Sequence, residues 1–184
     1  MPVTARKRET PDAAETGHAE LAARATRGDR DAFGELVRIY APMVHGILLA
    51  RVPVSEVRDL VQDVFTLALE RLGTLRETEA FGGWLAMIAR NRTVDYHRRS
   101  SHRRTAPLEV DVAVSDPDRA EVEELLAAIR GLPDTYAETL TLRLLEGMTG
   151  PEIAARVGMK PESVRVNLHR GMAMLRARLR GDDP

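Results

Sequence analysis

A chain of 184 residues, 43% hydrophobic and 30% charged, has enough apolar material for one ordinary domain or two small ones and for a well-solvated surface. It contains no Cys, which excludes disulfides, thiolate metal sites and a cysteine nucleophile. The net charge of −1 offers no overall attraction to a polyanion, and the longest apolar run, residues 44–50, is far shorter than the about 20 residues that span a bilayer, so we expect no membrane insertion and a cytoplasmic protein.

The chain is expected to begin with a tail and two helices. Residues 1–18 lack a hydrophobic period and are rich in Thr, Ala, Pro and charged residues, which predicts a disordered tail. A short helix is predicted at residues 19–26. Apolar residues then recur at spacings of three and four over residues 33–48, which predicts a helix with one buried face that Pro42 bends or splits.

Two further helices are predicted before the sequence changes character. Ser55 is the expected N-cap of a helix that ends at Gly73 and carries an apolar stripe along one face. Thr78 is the expected cap of the next helix, which runs to Arg99. Trp84 lies among apolar neighbours at the start of that helix, so we expect it to pack in the core.

A linker and a second helical domain follow. Periodicity vanishes between residues 100 and 117, where Pro and Ser recur, so we place a flexible linker at residues 103–118. It would join a domain of residues 19–102 to one of residues 119–181. Apolar spacing predicts four helices in the second domain, at residues 122–132, 135–146, 150–157 and from 161 onward. The expected fold class is all-α, with two small helical domains.

Charge is segregated along the chain, although the net charge is close to zero. Residues 81–104 contain six Arg against one acid, and residues 160–180 contain six Lys or Arg against one acid. Between them, residues 105–124 hold seven acids against one Arg. Because the local field decides where a polyanion binds, the two basic blocks are compatible with a nucleic-acid partner. The acidic stretch is either a solvated linker or a shield for the basic helices.

Residues 150–170 fit a helix-turn-helix. Thr149 and Glu152 form a capping-box pattern at the start of its first helix. Ala154 is small where the two helices would cross, and Gly158 can adopt the positive φ that the turn requires. The core between the helices would be filled by Ile153, Val157 and Val164.

Such a helix pair places its second helix in the major groove of DNA, where Arg and Asn can make bidentate contacts with base edges. The alternative is a plain helical hairpin with an Arg-rich solvated face. The coincidence of a small residue, a glycine turn and apolar spacing favours DNA binding. The candidate DNA-facing residues are Lys160, Glu162, Ser163, Arg165, Val166, Asn167 and Arg170.

The first domain carries a polar helix face and a basic helix. The polar face is formed by Asp59, Gln62, Asp63 and Thr66, which lie at i, i+3, i+4 and i+7. Composition alone would assign this face to ordinary solvated surface. In the following helix Asn91, Asp95 and Arg98 share one face. A basic helix that also contains aromatic residues suits a nucleic-acid backbone and unpaired bases.

Residues 59–65 (DLVQDVF) and 81–99 (FGGWLAMIARNRTVDYHRR) resemble region 2 of the extracytoplasmic-function (ECF) sigma factors. Residues 132–179, which include the helix-turn-helix, resemble region 4 of the same family. The order, the spacing and the acidic linker are also similar, so the resemblance covers residues 19–179. It implies a bacterial transcription initiation factor that carries core RNA polymerase to promoters, without enzymatic activity and without a cofactor.

The resemblance also implies partners and roles for single residues. In the family, the helix that matches residues 59–72 docks on the clamp helices of the polymerase β′ subunit, and region 4 meets the β flap. The implied polymerase contacts are Asp59, Gln62, Asp63, Phe65 and Thr66. The implied contacts to the −10 element and its melted strand are Arg76, Glu77, Thr78, Arg90, Asn91, Asp95, Arg98 and Arg99. The recognition helix matches the reader of the −35 element, and an anti-sigma factor is an implied partner.

The chain departs from the family at the recognition helix. Many relatives carry Ser-Arg where this chain has Val166-Asn167, so we expect its −35 contacts to differ. No third domain lies between the two blocks and none is expected after residue 179, which excludes the larger primary-type sigma factors and those with fused regulatory extensions.

Two other classes of protein compete with this interpretation. A stand-alone helix-turn-helix regulator would explain the second domain, but it gives the face at residues 59–65 no purpose and would bind duplex DNA tightly without polymerase. An enzyme is disfavoured because the five His are dispersed without metal-ligand spacing and Gly82-Gly83 is not part of a phosphate-binding loop.

Overall fold

The computed structural model describes residues 11–103 and 117–181, and every regular element in those two ranges is helical. The first range contains α1 (Pro11–Thr26), α2 (Arg30–Leu49), α3 (Val54–Arg71) and α4 (Phe81–Arg103), with 3₁₀ turns at Leu72–Thr74 and Thr78–Ala80. The second contains α5 (Pro117–Arg130), α6 (Asp134–Leu144), α7 (Gly150–Val157) and α8 (Pro161–Arg180). The predicted all-α fold with two helical halves is confirmed, while most of the predicted linker lies outside the described residues.

The first helix is longer than its sequence pattern predicted. Residues 11–18 were expected in a disordered tail, but α1 begins at Pro11. Proline is favourable at the first helical position because it has no N–H to leave unsatisfied there. This local preference favours a helix start at Pro11 even without an apolar period. Residues 1–10 lie outside the described part.

α2 is the central helix of the first half, and it is continuous although Pro42 lies inside it. The predicted split is therefore absent. Asp29 fixes the start of the helix, since its carboxylate accepts a hydrogen bond from the Ala32 N–H at 3.0 Å. Its length and mean hydropathy of 1.2 would suffice for a membrane span, yet 56% of this apolar stretch is buried inside the protein. Packing on neighbouring helices explains its apolar character and outweighs the hydrogen bond that Pro42 cannot donate.

Neither predicted cap in the middle of the first half is formed. α3 begins one residue before Ser55, with the extended Pro53 at its N-cap, and the Glu56 N–H donates to the Pro53 carbonyl at 3.0 Å. Thr78 opens a 3₁₀ turn and does not cap α4, which starts at Phe81. The backbone preference of proline, with φ fixed near its helical value, decides the start of α3 more strongly than the serine that follows.

A large buried hydrophobic cluster contains residues of both halves. α2 packs against α1, α3 and α4 of its own half and also against α6 and α7 of the second half, and α4 packs against α7. Met43, Ile47 and Leu85 from the first half belong to the same buried cluster as Leu142 and Ile153 from the second. Regions that the sequence separates by a linker are therefore in direct contact.

Candidate nucleic-acid interface

The start of α7 is held by the capping box that the sequence predicted. The Thr149 hydroxyl oxygen accepts from the Glu152 N–H at 3.4 Å, and the Glu152 carboxylate accepts from the N–H and the hydroxyl of Thr149, each at 2.8 Å. The two hydrogen bonds that Thr149 donates lower the pKa of Glu152, and the one from the Thr149 backbone has the larger effect. Two N–H groups that a helix start leaves unpaired are thus satisfied locally.

The turn and the core of the helix-turn-helix also match the prediction. Gly158 ends α7 in the left-handed conformation, with φ of 69° and ψ of 33°. Side chains with a Cβ are strained there, so glycine lets the chain turn directly into α8. The residues expected between the helices are all buried, namely Ile153, Ala154, Val157 and Val164.

One side of α8 faces solvent and carries the residues expected to meet DNA. Val164 is fully buried and therefore fixes the rotation of the helix. Asn167 is half-buried on the edge of the face. The exposed residues of this face are Lys160, Glu162, Ser163, Arg165, Val166 and Arg170. His169 lines a shallow surface depression together with Arg165, Val166 and Arg170. The sequence analysis did not select His169, although its spacing of four from Arg165 places it on the same side of α8.

The polar face of α3 lies on the surface as predicted, with one exception. Asp59, Gln62, Asp63 and Thr66 are exposed, and the Thr66 hydroxyl donates to the Gln62 carbonyl at 2.9 Å. Phe65 is only 8% exposed and packs in the core. Its spacing from Val61 and Ala68 places Phe65 on the apolar stripe of the helix, so its contact with polymerase stays a prediction that burial in this conformation does not favour.

Arg92 joins the polar face of α3 to α4, and the sequence analysis missed it. Its guanidinium lies 2.6 Å from the Asp63 carboxylate and 3.9 Å from that of Asp95. Asp95 is also 3.1 Å from the guanidinium of Arg98. A chain of alternating charges therefore runs from the expected polymerase-docking face to the expected −10 face. The position of Arg92 three residues before Asp95 was a sequence signal for part of this network.

α4 presents a mixed polar and apolar face to solvent. Asn91, Arg98 and Arg99 are exposed, and Asp95 is half-buried. Met87 and Val94 are 51% and 65% exposed, and their spacing from Asn91 puts them on the same side of the helix. In the segment before α4, Arg76 and Glu77 are exposed and Thr78 is half-buried.

Trp84 and Arg90 of α4 also have partners inside the protein. Trp84 packs on Phe81, with ring centroids 5.7 Å apart, which agrees with its expected place in the core. Arg90 was expected to face the −10 element, but its guanidinium is paired with Glu138 of α6. The structure therefore assembles Asn91, Asp95 and Arg98 on one face and places Arg90 outside that group.

The described residues give no indication of a metal centre. Within residues 11–103 and 117–181, no group of three or more His, Asp or Glu is placed to hold a metal ion. His45 and His97 instead pair with protein groups, the Glu146 carboxylate at 2.6 Å and the Arg51 carbonyl at 2.9 Å. The exposed side chains of α3, α4 and α8 can bind a partner through charge, hydrogen bonds and apolar contact.

Comparison with known proteins identifies both halves of the chain. The family model for Sigma-70 region 2 matches residues 36–103, and the one for Sigma-70 region 4 matches residues 122–175. The chain is 33% identical to the ECF RNA polymerase sigma factor BldN of Streptomyces coelicolor over 89% of its own length and 66% of that protein. It is 30% identical to the ECF RNA polymerase sigma-E factor of Escherichia coli K12, covering 82% of this chain and 87% of the relative.

A solved structure is similar as well. CnrH, determined in complex with the cytosolic domain of CnrY, superimposes with a TM-score of 0.64 at 27% identity. The superposition covers 91% of this chain and 99% of CnrH.

Proposed function

Because the chain belongs to the ECF family of RNA polymerase sigma factors, we propose that it brings core RNA polymerase to a specific set of promoters in the bacterial cytoplasm and has no enzymatic activity of its own. One observation carries the proposal. The exposed polar face of α3 lies beside a basic α4, and a complete helix-turn-helix with an exposed Arg-rich face follows in the same chain.

Each surface has a proposed partner. The α3 face around Asp59, Gln62 and Asp63 docks on the β′ clamp helices, and the second half meets the β flap. The α4 face around Asn91 and Arg98 holds the melted −10 strand, since exposed Arg and apolar side chains there can contact phosphates and unpaired bases. The exposed side of α8 reads the −35 element in the major groove.

An inhibitory partner protein is also proposed. The similar CnrH was solved with the cytosolic domain of CnrY bound. Together with the family resemblance, this complex supports the proposal that an anti-sigma factor binds the present chain, where it would cover the polymerase-binding and DNA-binding faces.

Run-off transcription with purified core polymerase on genomic fragments tests the proposal directly. Transcripts that start at a common promoter motif and require the protein support it. A gel shift on the same fragments separates it from a stand-alone helix-turn-helix regulator. The sigma factor binds promoter duplex only with core polymerase, whereas tight specific binding by the isolated protein would establish the regulator instead.

Two variants assign the DNA faces. The double change Arg98→Ala and Arg99→Ala should reduce promoter melting, measured by permanganate footprinting, while core polymerase binding stays normal. The exposed Arg38 of α2 serves as the control position, and Arg38→Ala should change neither quantity. Asn167→Ala should alter the −35 preference in a randomised-promoter selection, and an unchanged preference would reject that role.

A further inference from the structure

The shallow depression on the solvent side of α8 is built from neighbouring side chains. The residues that line it are all exposed, namely Arg165, Val166, His169 and Arg170. Residues three and four positions apart are neighbours on a helix surface, so these side chains form one continuous patch. We call this patch the α8 depression.

Packing inside the second half fixes the direction in which the α8 depression points. Val164, Gly171 and Leu175 are the buried residues of α8. A Cβ built on Gly171 would lie 3.1 Å from Cδ1 of Leu140, so this side of α8 is seated closely on α6. Successive residues of an α-helix are rotated by about 100°, which places Val166 almost opposite the fully buried Val164. The depression therefore lies on the side of the second helix that, in a helix-turn-helix, enters the major groove.

The wall of the α8 depression is apolar, although two of the residues that line it are arginines. Almost all of the surface inside it is apolar. Arginine side chains commonly lay their methylene groups along such a surface and extend the guanidinium into solvent. Val166 contributes two methyl groups and is 40% exposed. The depression is thus a small apolar site with cationic groups at its rim.

This combination fits one group of double-stranded DNA. The base edges in the major groove present hydrogen-bond donors and acceptors, and the C5 methyl group of thymine is the apolar group among them. A donor or acceptor in an apolar recess would lose its hydrogen bonds to water, whereas a methyl group gains free energy by leaving water. A single exposed valine is ordinary on a protein surface. Cations on both sides of it supply the attraction to phosphates that a DNA ligand requires.

We propose that the α8 depression receives the methyl group of a thymine, so that Val166 and His169 select thymine at one base pair of the −35 element. This inference rests on the proposed function and names a base that the exposed side of α8 reads. Arg165 and Arg170 bond to phosphates or to neighbouring base edges and thereby position the helix. The carbon atoms of the His169 ring form part of the wall, and its nitrogens can bond an adjacent base edge.

Replacing single thymines by deoxyuridine tests the contact, because uracil lacks the methyl group and keeps the hydrogen-bonding groups of thymine. A selection from randomised duplexes with the full chain and core polymerase supplies a labelled duplex that contains the preferred −35 element. Fluorescence anisotropy then gives the dissociation constant for the thymine duplex and for each uracil duplex. At one position uracil should weaken binding about fourfold, the effect of leaving one methyl group unburied. Equal dissociation constants at every thymine, or a selected element without thymine, would overturn the proposal.

A duplex with 5-methylcytosine separates the methyl group from the other properties of a T·A pair. Exchanging the sensitive T·A pair for C·G should weaken binding. Methylation of that cytosine at C5 should then recover about fourfold, because it restores a methyl group at the same place in the groove. No recovery would mean that hydrogen bonds or DNA shape make the distinction, which would also overturn the methyl contact.

Variants of the protein assign the contact to the α8 depression. Val166→Ser and His169→Ala both change exposed positions, so the fold should be retained, which circular dichroism checks. Each should reduce the difference between thymine and uracil to less than about twofold, since the wall around the methyl group is incomplete. Met174→Ser is the control, because Met174 is also apolar and exposed on α8 but does not line the depression. It should keep the full difference. A full difference in Val166→Ser or in His169→Ala would overturn the role of that residue.

The same duplexes separate this inference from the proposed function. If core polymerase does not bind the chain, the proposed function fails. The selection and the uracil series are then repeated with the chain alone. A loss of about fourfold at one thymine would still support the methyl contact, and equal binding of thymine and uracil would overturn it as well.

Discussion

Replacing Gly158 by Ala should destabilise the protein more than the same change at Gly147, and the difference reports on the contact between the two halves. Both glycines have a left-handed backbone, with φ of 69° and 68°. A Cβ at Gly147 would meet nothing within 4 Å. A Cβ at Gly158 would lie 3.2 Å from the Cα of Gly83, in the other half of the molecule. The two changes therefore share the backbone strain and differ in the close contact.

The magnitudes follow from these two effects. Left-handed backbone costs a residue with a Cβ about 1–2 kcal/mol relative to glycine, which sets the loss expected for Gly147→Ala at about 1 kcal/mol after the smaller entropy of the unfolded chain is included. Overpacking against a backbone atom adds roughly 1–2 kcal/mol more, so Gly158→Ala should lose about 2–3 kcal/mol. For a chain of this size, each kcal/mol lowers the melting temperature by about 2–4 °C.

Urea denaturation of both variants, followed by circular dichroism, measures the difference. Unchanged m-values would show that the midpoints report stability alone. Equal losses at the two positions would refute the reasoning, because they would mean that Gly83 and Gly158 are not in contact in solution. No loss at Gly158 would refute the left-handed turn itself.

Two further predictions concern polar contacts. The hydrogen bond that the protonated His45 ring donates to the Glu146 carboxylate raises the pKa of His45, so their pair should stabilise the fold fully below pH of about 6.5 and lose that effect as the pH rises through the raised pKa. The free energy of unfolding, measured by urea denaturation from pH 5 to 9, should then fall in the unchanged chain relative to His45→Gln. The expected fall is no more than about 1 kcal/mol because His45 is half-exposed, and parallel pH curves for the two proteins would contradict the prediction. Thr149→Ala should cost about 1 kcal/mol by the same assay, and Thr149→Ser should recover most of it unless the capping box is not formed.

The helix-turn-helix could be predicted from the sequence because each of its determinants is local. The capping residues Thr149 and Glu152 are three positions apart, Gly158 follows at the turn, and the apolar spacing fixes which side of each helix is buried. None of these features depends on a distant part of the chain. The bounds of α7 and the start of α8 at Pro161 therefore agree with the prediction.

The elements that were predicted less well depend on competing local effects. Pro42 was expected to bend or split α2, but burial of the helix on several sides keeps it continuous. Phe65 belongs to the apolar stripe by its spacing, and only its match to family contacts suggested a surface role. The structure follows the spacing, because removing a phenylalanine ring from water is worth about 2–3 kcal/mol.

The contact between the halves could not be predicted, because it joins residues that are far apart in sequence. Glu138 lies 48 positions from Arg90 and is surrounded by Ala137, Thr139 and Leu140. Nothing near it in the sequence identifies its partners. From the sequence, Gly46 and Gly82 are only residues of low helix propensity. Their lack of a Cβ matters because α6 and α7 pack directly against them, which only the structure shows.

The same contact changes how the charges of the chain should be counted. The Arg-rich block of residues 81–104 suggested a continuous cationic surface, but Arg90 is paired with Glu138, and Arg92 with Asp63. Paired arginines release few additional counterions when DNA binds, so the salt dependence of the proposed DNA binding should reflect fewer phosphate contacts than the count of arginines suggests. Separating Arg90 from Glu138 would expose one of these cations on the surface of α4. The local charge of α4 therefore depends on the contact between the two halves, and the net charge of −1 does not determine it.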